Sequence, residues 1–261
     1  MRQHCGWDLG RLVLVGLTAA VLAVLASSAP AQTSSWQYDV DGYWGDATKW
    51  SGGVPNGDTA DARFRRSFTG DRVVALAANA QGDPLSVTLN QLTFWDWSGG
   101  DDTTLTIRAV TKGSQESDLT FAGTASISSQ TTISDTKATQ IDSTGLRYLA
   151  ALRIDSKVNI SGPSLTKTGG GSAVFFREVS GAGNLIVSQG LLILAAQNTY
   201  TGSTTVSGGA LQLRHSGALA GTSGVSVTSG SVTSGTLELT TALDGSNLTI
   251  SGKPLSMAGG S

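Results

Sequence analysis

The chain has 261 residues, of which 17 are Lys or Arg and 19 are Asp or Glu, for a net charge of -2. That balance excludes the clustered basic surface that nucleic-acid binding needs, and a single cysteine excludes a disulfide framework. Charged residues at 14% against 39% hydrophobic ones, with 34 glycines, describe a folded chain of short apolar segments and turns rather than a disordered one.

Arg2 and Arg11 flank the start of a 15-residue apolar run, Leu12 to Ala26, and Ala29, Pro30 and Ala31 then form a small-x-small exit. This is the layout of a secretory signal peptide, and the run is shorter than the roughly 20 residues that span a bilayer. Residues 1–31 are therefore expected to be cleaved, leaving no integral membrane segment; Asp8 is the one untypical residue. Cleavage also removes Arg2, Arg11 and Cys5, so 15 basic and 18 acidic residues remain, for a net charge of -3. With no cysteine left, neither a disulfide nor a lipid anchor is expected, and stability has to come from backbone pairing and a regular core.

Residues 32–110 read as an aromatic-rich N-terminal β cap region. Trp36, Tyr38, Tyr43, Trp44 and Trp50 crowd together, and two further tryptophans lie in "FWDWSGGDD", Phe94 to Asp102. A stack of strands leaves an uncovered core at its first layer, and large aromatics suit that position. Period-two alternation begins within this stretch: Leu85, Val87 and Leu89 fall on one face, then Leu105 and Ile107. From 111 to 261 the same pattern continues as Leu119 and Phe121, Val158 and Ile160, and Leu185 and Val187. Leu211 and Leu213, Val225 and Val227, Leu237 and Leu239, and Leu248 and Ile250 complete it. The only stretch with a helix-like spacing is Ser143–Asp155, where Leu146, Leu149 and Leu152 predict a short helical turn. In the C-terminal third the strand cores start 14, 12 and 11 residues apart, at Leu211, Val225, Leu237 and Leu248. Three-residue strands at near-regular spacing, with Gly turns between, favour an all-β solenoid over a sandwich, whose strands run five or six residues.

Gly181 to Gly221 closely resembles the autotransporter-associated β-strand repeat of bacterial exported proteins. Gly181, Gly183, Leu185, Leu192, Leu194, Asn198, Thr199, Tyr200, Gly202, Thr204, Val206, Gly209, Leu211 and Leu213 match its pattern, and Ser164–Phe175 looks like its lead-in strand. The best match covers 164–221, and a looser version begins again at Gly245. Arg214 and His215 depart from the pattern, which usually has a small residue there. The aromatic-rich opening "GYWGDATKWSGGVPNGDTADARF" is similar to that of many large secreted proteins carrying such repeats. The resemblance implies a right-handed parallel β-helix, surface display or secretion, and no catalytic residues. Asn198, Thr199, Tyr200 and Gly202 read as a corner, with Thr204 and Val206 starting the next strand. Stacked copies would align Asn with Asn and Thr with Thr.

Residues able to do chemistry are sparse. His215 is the one histidine after leader removal, and its nearest acids in sequence are Glu178 and Glu238; no G-x-S-x-G elbow occurs. Gly181 and Gly183 make half a dinucleotide fingerprint, without its third glycine or a following helix. Asp39, Asp41 and Asp46, or Asp96, Asp101 and Asp102, are the carboxylate clusters that a polysaccharide-acting β-helix enzyme or a calcium loop could draw on. Their spacing fits neither a glycosidase pair nor an EF-hand. Trp44 and Trp50 are the choice for sugar stacking if the aromatics bind rather than cap; exposure decides between the two. The reading is therefore an exported structural or adhesin-like β-solenoid without cofactors or catalysis. A carbohydrate-binding module is the alternative, and a polysaccharide-acting enzyme comes third. Its expected partners are a cell-surface glycan or protein, or a second copy at the open end near "LTISGKPLSMAGGS", where the chain reads as part of a longer protein.

Overall fold

The computed structural model describes residues 31–97, 103–130, 151–228, 235–239 and 253–258. Among these the chain is nearly all β, and its one helical piece is a single 3-10 turn at Ala47–Lys49. Two long parallel sheets carry the architecture. The first runs β1 (Thr33–Ser35), β3 (Asp61–Arg66), β5 (Val87–Asp96), β9 (Asp118–Ser129), β12 (Ser164–Thr168), β15 (Asn184–Val187), β17 (Thr204–Val206), β19 (Val225–Thr228) and β21 (Leu255–Ala258). The second runs β2 (Gly42–Tyr43), β4 (Arg72–Ala75), β6 (Leu105–Arg108), β10 (Leu152–Asp155), β13 (Ser172–Phe175), β16 (Leu191–Leu194), β18 (Gly209–Leu213) and β20 (Gly235–Leu239). The chain thus alternates between sheets, and each tier of the chain pairs in parallel with the tier before it. The one antiparallel ribbon, β7 (Thr111–Lys112) with β8 (Gln115–Glu116), interrupts this order.

The first sheet has a fold line along it. The long strand β9 bends at Gly123, whose φ is +68°. Its first half pairs with Val87–Leu89 and with β11 (Lys157–Ile160), its second half with the rest of β5 and with β12. Later tiers keep the two halves as separate strands, β11 before β12 and β14 (Val179–Gly181) before β15. At this corner the backbone of successive tiers approaches too closely for any side chain. A Cβ on Gly162 would sit 2.0 Å from the Gly123 carbonyl oxygen, one on Gly183 2.3 Å from that of Gly162, and one on Gly202 2.1 Å from that of Gly183.

Inward side chains stack in columns. Leu165 pairs with Leu185, Leu185 with Thr204 and Thr204 with Val225, so one tier takes 19 to 21 residues. The 11-to-14-residue spacing read from the sequence is therefore the step from one sheet to the other: Leu211 stacks on Leu192 and Leu237, whereas Val225 lies in the other sheet. The pairs Leu105/Ile107, Leu119/Phe121, Val158/Ile160, Leu185/Val187, Leu211/Leu213 and Val225/Val227 sit in strands with their aliphatic or aromatic members packed inside, and Leu237 packs in part against the same core. Leu85 lies just before β5, half-buried against the core, and Leu248 and Ile250 fall outside the described residues. Each buried aliphatic contributes roughly 1.5–3 kcal/mol of transfer free energy, which makes the columns the main source of cohesion.

Ser143–Asp155 departs from its expected helical turn. Over Leu152–Asp155 it is strand β10, with Leu152 paired to Leu105 and Ala173; the part before 151 lies outside the described residues. Leu152 and Ile154 alternate with Arg153, and two parallel neighbours satisfying the backbone outweigh a marginal three-residue leucine spacing. The boundary expected between 110 and 111 falls inside one continuous run of sheets, since parallel pairing starts at β1 and extends to β21.

Candidate functional site

Trp36, Trp44 and Trp50 are core residues. They surround Phe64 with ring centroids 5.3–6.0 Å from it, and Trp44 lies 4.9 Å from Trp50. The Trp44 indole N–H donates to the Pro55 carbonyl at 2.9 Å, and that of Trp50 donates to the Trp44 carbonyl at 2.8 Å. With Trp44 at 0% and Trp50 at 4% exposure, neither presents a ring face to a sugar. The sequence choice of these two as sugar contacts is thus displaced by packing: β1 ends its sheet, and the indoles cover the core there.

The aspartates nearby are engaged as well. Asp39 accepts from the Thr69 hydroxyl and amide and from Arg72, and Asp41 accepts from the Val73 amide. Asp46 caps the 3-10 turn through the Thr48 amide. Burial pushes the Asp39 carboxyl up, but the bonds from Thr69 and Arg72 outweigh it and hold the group below the usual carboxylate range. Among the described residues no group of three or more His, Cys, Asp or Glu is placed to hold a metal ion. Asp96 lies inward and takes the Phe68 amide and the Thr103 hydroxyl; Asp101 and Asp102 fall outside the described residues.

Asn198 to Gly202 form a structural corner. The Asn198 side chain is buried between tiers, accepting from the Val179 amide at 2.8 Å and donating to the Ala218 carbonyl at 2.7 Å. The Thr199 hydroxyl donates to Glu178. The buried Tyr200 hydroxyl meets that of Thr204 at 2.5 Å, and Thr204 meets Thr222 at 3.1 Å. Burial pushes the Tyr200 phenol up to about 12. Val206 is buried between Val187 and Val227. The expected alignment of Asn on Asn and Thr on Thr is replaced by the glycine column, because the tiers above and below Asn198 and Thr204 carry other residues. His215 accepts the Gly217 amide, Glu238 accepts from Gln212 on the neighbouring strand and Glu178 accepts from Thr199, so His215 and these acids have separate partners. Lys167 is fully buried, its ammonium donating to the carbonyls of Thr168, Gly169, Gly171 and Gln189. Burial pushes that amine down to about 8.

An outward aromatic–cationic patch lies at the end of β5. Trp95 is 40% and Trp97 54% exposed, with ring centroids 5.8 Å apart and planes at 85°. Arg65, on the paired strand β3 directly beside Trp95, places its guanidinium 5.0 Å from the Trp95 ring centroid and 5.7 Å from that of Trp97. Of its neighbours, Arg63 is paired with Asp61 and Arg66 donates to the Gln37 carbonyl. Arg65 has no ion pair among the described residues, and its Nε lacks a hydrogen-bond partner. Beside the patch the outer face of the sheet carries Thr93, Ser128 and Thr168 in one register column. The sequence assigns these two tryptophans to the aromatic-rich cap region, without a role as ligand contacts. At the other end of the sheet, Leu255 and Met257 of β21 are 47% and 71% exposed.

Among the described residues the geometry defines an all-β chain of stacked parallel tiers with a closed aromatic end and an exposed aromatic–cationic patch at Arg65, Trp95 and Trp97. Comparison with protein-family models, with curated proteins and with solved structures gives no match. No helix among the described residues is long and apolar enough to cross a membrane.

Proposed function

We propose that the chain is an exported β-solenoid, a right-handed parallel β-helix of the autotransporter-associated repeat type. It acts as a structural or adhesin-like segment at the bacterial surface, without catalysis. The observation that carries this reading is the corner at Asn198–Gly202, where one motif hydrogen-bonds the tiers on both sides and Gly202 stacks on Gly183. Such a part serves repetition, not turnover. The tryptophan cluster is the cap of the first tier. The exposed β21 edge is the place where a further tier, or a second copy, would add.

The test is expression of the full chain in a secreting bacterial host, followed by fractionation and N-terminal sequencing. Surface-bound or released protein beginning at Gln32 is expected. Cytosolic protein retaining residues 1–31 would overturn the reading.

A carbohydrate-binding role is the second reading, favoured by the exposed Trp95 and Trp97 rather than by Trp44 and Trp50.

A further inference from the structure

We infer that Arg65, Trp95 and Trp97 form a binding site for an acidic saccharide, a pyranose ring bearing a carboxylate. The inference deepens the adhesion reading and rests on it for biological context alone.

Two exposed indoles at right angles are costly to leave in water unless they contact something, and together they make an inside corner rather than a flat sheet. A pyranose offers such a corner an apolar C–H face. The Arg65 guanidinium lies within cation–π range of both indoles; its Nε is buried without a partner, which leaves the two terminal nitrogens as the donors that a ligand can meet. Those donors match a carboxylate in bidentate geometry. Arg63 faces outward two residues before Arg65, and among the described residues the nearby acids are engaged, Asp61 by Arg63 and the inward Asp96 by the Phe68 amide and the Thr103 hydroxyl. A neutral sugar would leave Arg65 uncompensated. Thr93, Ser128 and Thr168 add hydroxyls along the next column, where sugar hydroxyls can bond. The site needs no residue of the core, so it is an addition to the scaffold and not a consequence of it.

The experiment is calorimetry, with tryptophan fluorescence, on the purified full chain. The probes are hexamers of galacturonate, mannuronate and glucuronate, the methyl ester of each, and sulfated dextran. At least one uronate is expected to bind about tenfold or more tighter than its ester, a difference of about 1.4 kcal/mol. Trp97→Ala is expected to weaken acid and ester together by about tenfold, and Arg65→Gln to remove the difference between them. Both positions lie outside the core, and circular dichroism verifies that the variants fold. Equal binding of acid and ester, binding of sulfated dextran alone, no binding of any uronate, or wild-type behaviour of both folded variants would each overturn the site. Because this assay uses purified protein, its failure is distinct from a failure of surface localisation.

Discussion

The first tiers and the later ones bury the same inner face by different means. Around β1 to β5 the core is a knot of three indoles on Phe64, and the tier edges are tied by side chains: Asp39 to Thr69 and Arg72, Asp41 to Val73. From β12 to β19 the core is columns of Leu and Val, the corner is glycine on glycine, and buried side-chain ties include those of Lys167, Asn198 and Tyr200. Outer faces differ in the same sense. The early tiers project Arg63, Arg65, Trp95 and Trp97, whereas the later ones project Thr166, Thr205 and Ser226 from the same sheet. A tier stacked on both sides needs only small corners and a filled interior. Among the described residues the end tier has no neighbour beyond β1, and large rings cover its core there, with Arg65, Trp95 and Trp97 on the outer face nearby.

The contrast can be broken most severely at Trp44. Trp44→Ala removes a fully buried indole and its bond to Pro55, and is expected to cost about 4 kcal/mol in urea unfolding. Gly183→Ala attacks the other design: its Cβ meets the Gly162 carbonyl at 2.3 Å, so a loss of about 3 kcal/mol is expected from one methyl group. If Gly183→Ala proved neutral, the close-stacked corner would be refuted. Asn198→Ala strands the Val179 amide and the Ala218 carbonyl, and about 2 kcal/mol should be lost.

Stability against pH separates two buried groups of the later tiers. The Lys167 amine is lowered to about 8 in the fold, so between pH 8 and 10.5 the unfolded chain binds more protons and stability rises. The Tyr200 phenol is raised to about 12, so its contribution is intact below pH 10 and is lost as pH climbs from there towards 12. A maximum near pH 10 is expected, with about 2 kcal/mol on either limb. The four carbonyls around Lys167 favour its ammonium form and flatten the rising limb. Chemical denaturation of Lys167→Met and Tyr200→Phe at stepped pH should remove the rising and falling limbs respectively. The smallest effect belongs to Trp97→Ala, which should change unfolding by no more than about 0.5 kcal/mol, since more than half of the side chain is in water.

Which side chains point inward was readable wherever alternation is undisturbed, as at Leu105 and Ile107 or Leu185 and Val187, because successive Cβ atoms of a strand face opposite sides. At Trp95 alternation alone does not suffice. Counting on from Val87 and Leu89 puts Gln91, Thr93 and Trp95 inside, yet the register shifts between Leu89 and Gln91, where the amides of both Asn90 and Gln91 bond to the Ala60 carbonyl. One extra residue turns every later side chain over, so Leu92, Phe94 and Asp96 go in and Trp95 comes out. The tier length was hidden for a related reason: similar strands recur in both sheets, and only their pairing tells a step across the molecule from a full turn of the chain. Local alternation thus sufficed for the β content and the core positions. The burial of Trp44 and Trp50 and the meeting of Arg65 with Trp95 depended on which tier lay beside which, a matter of contacts between residues some 30 positions apart.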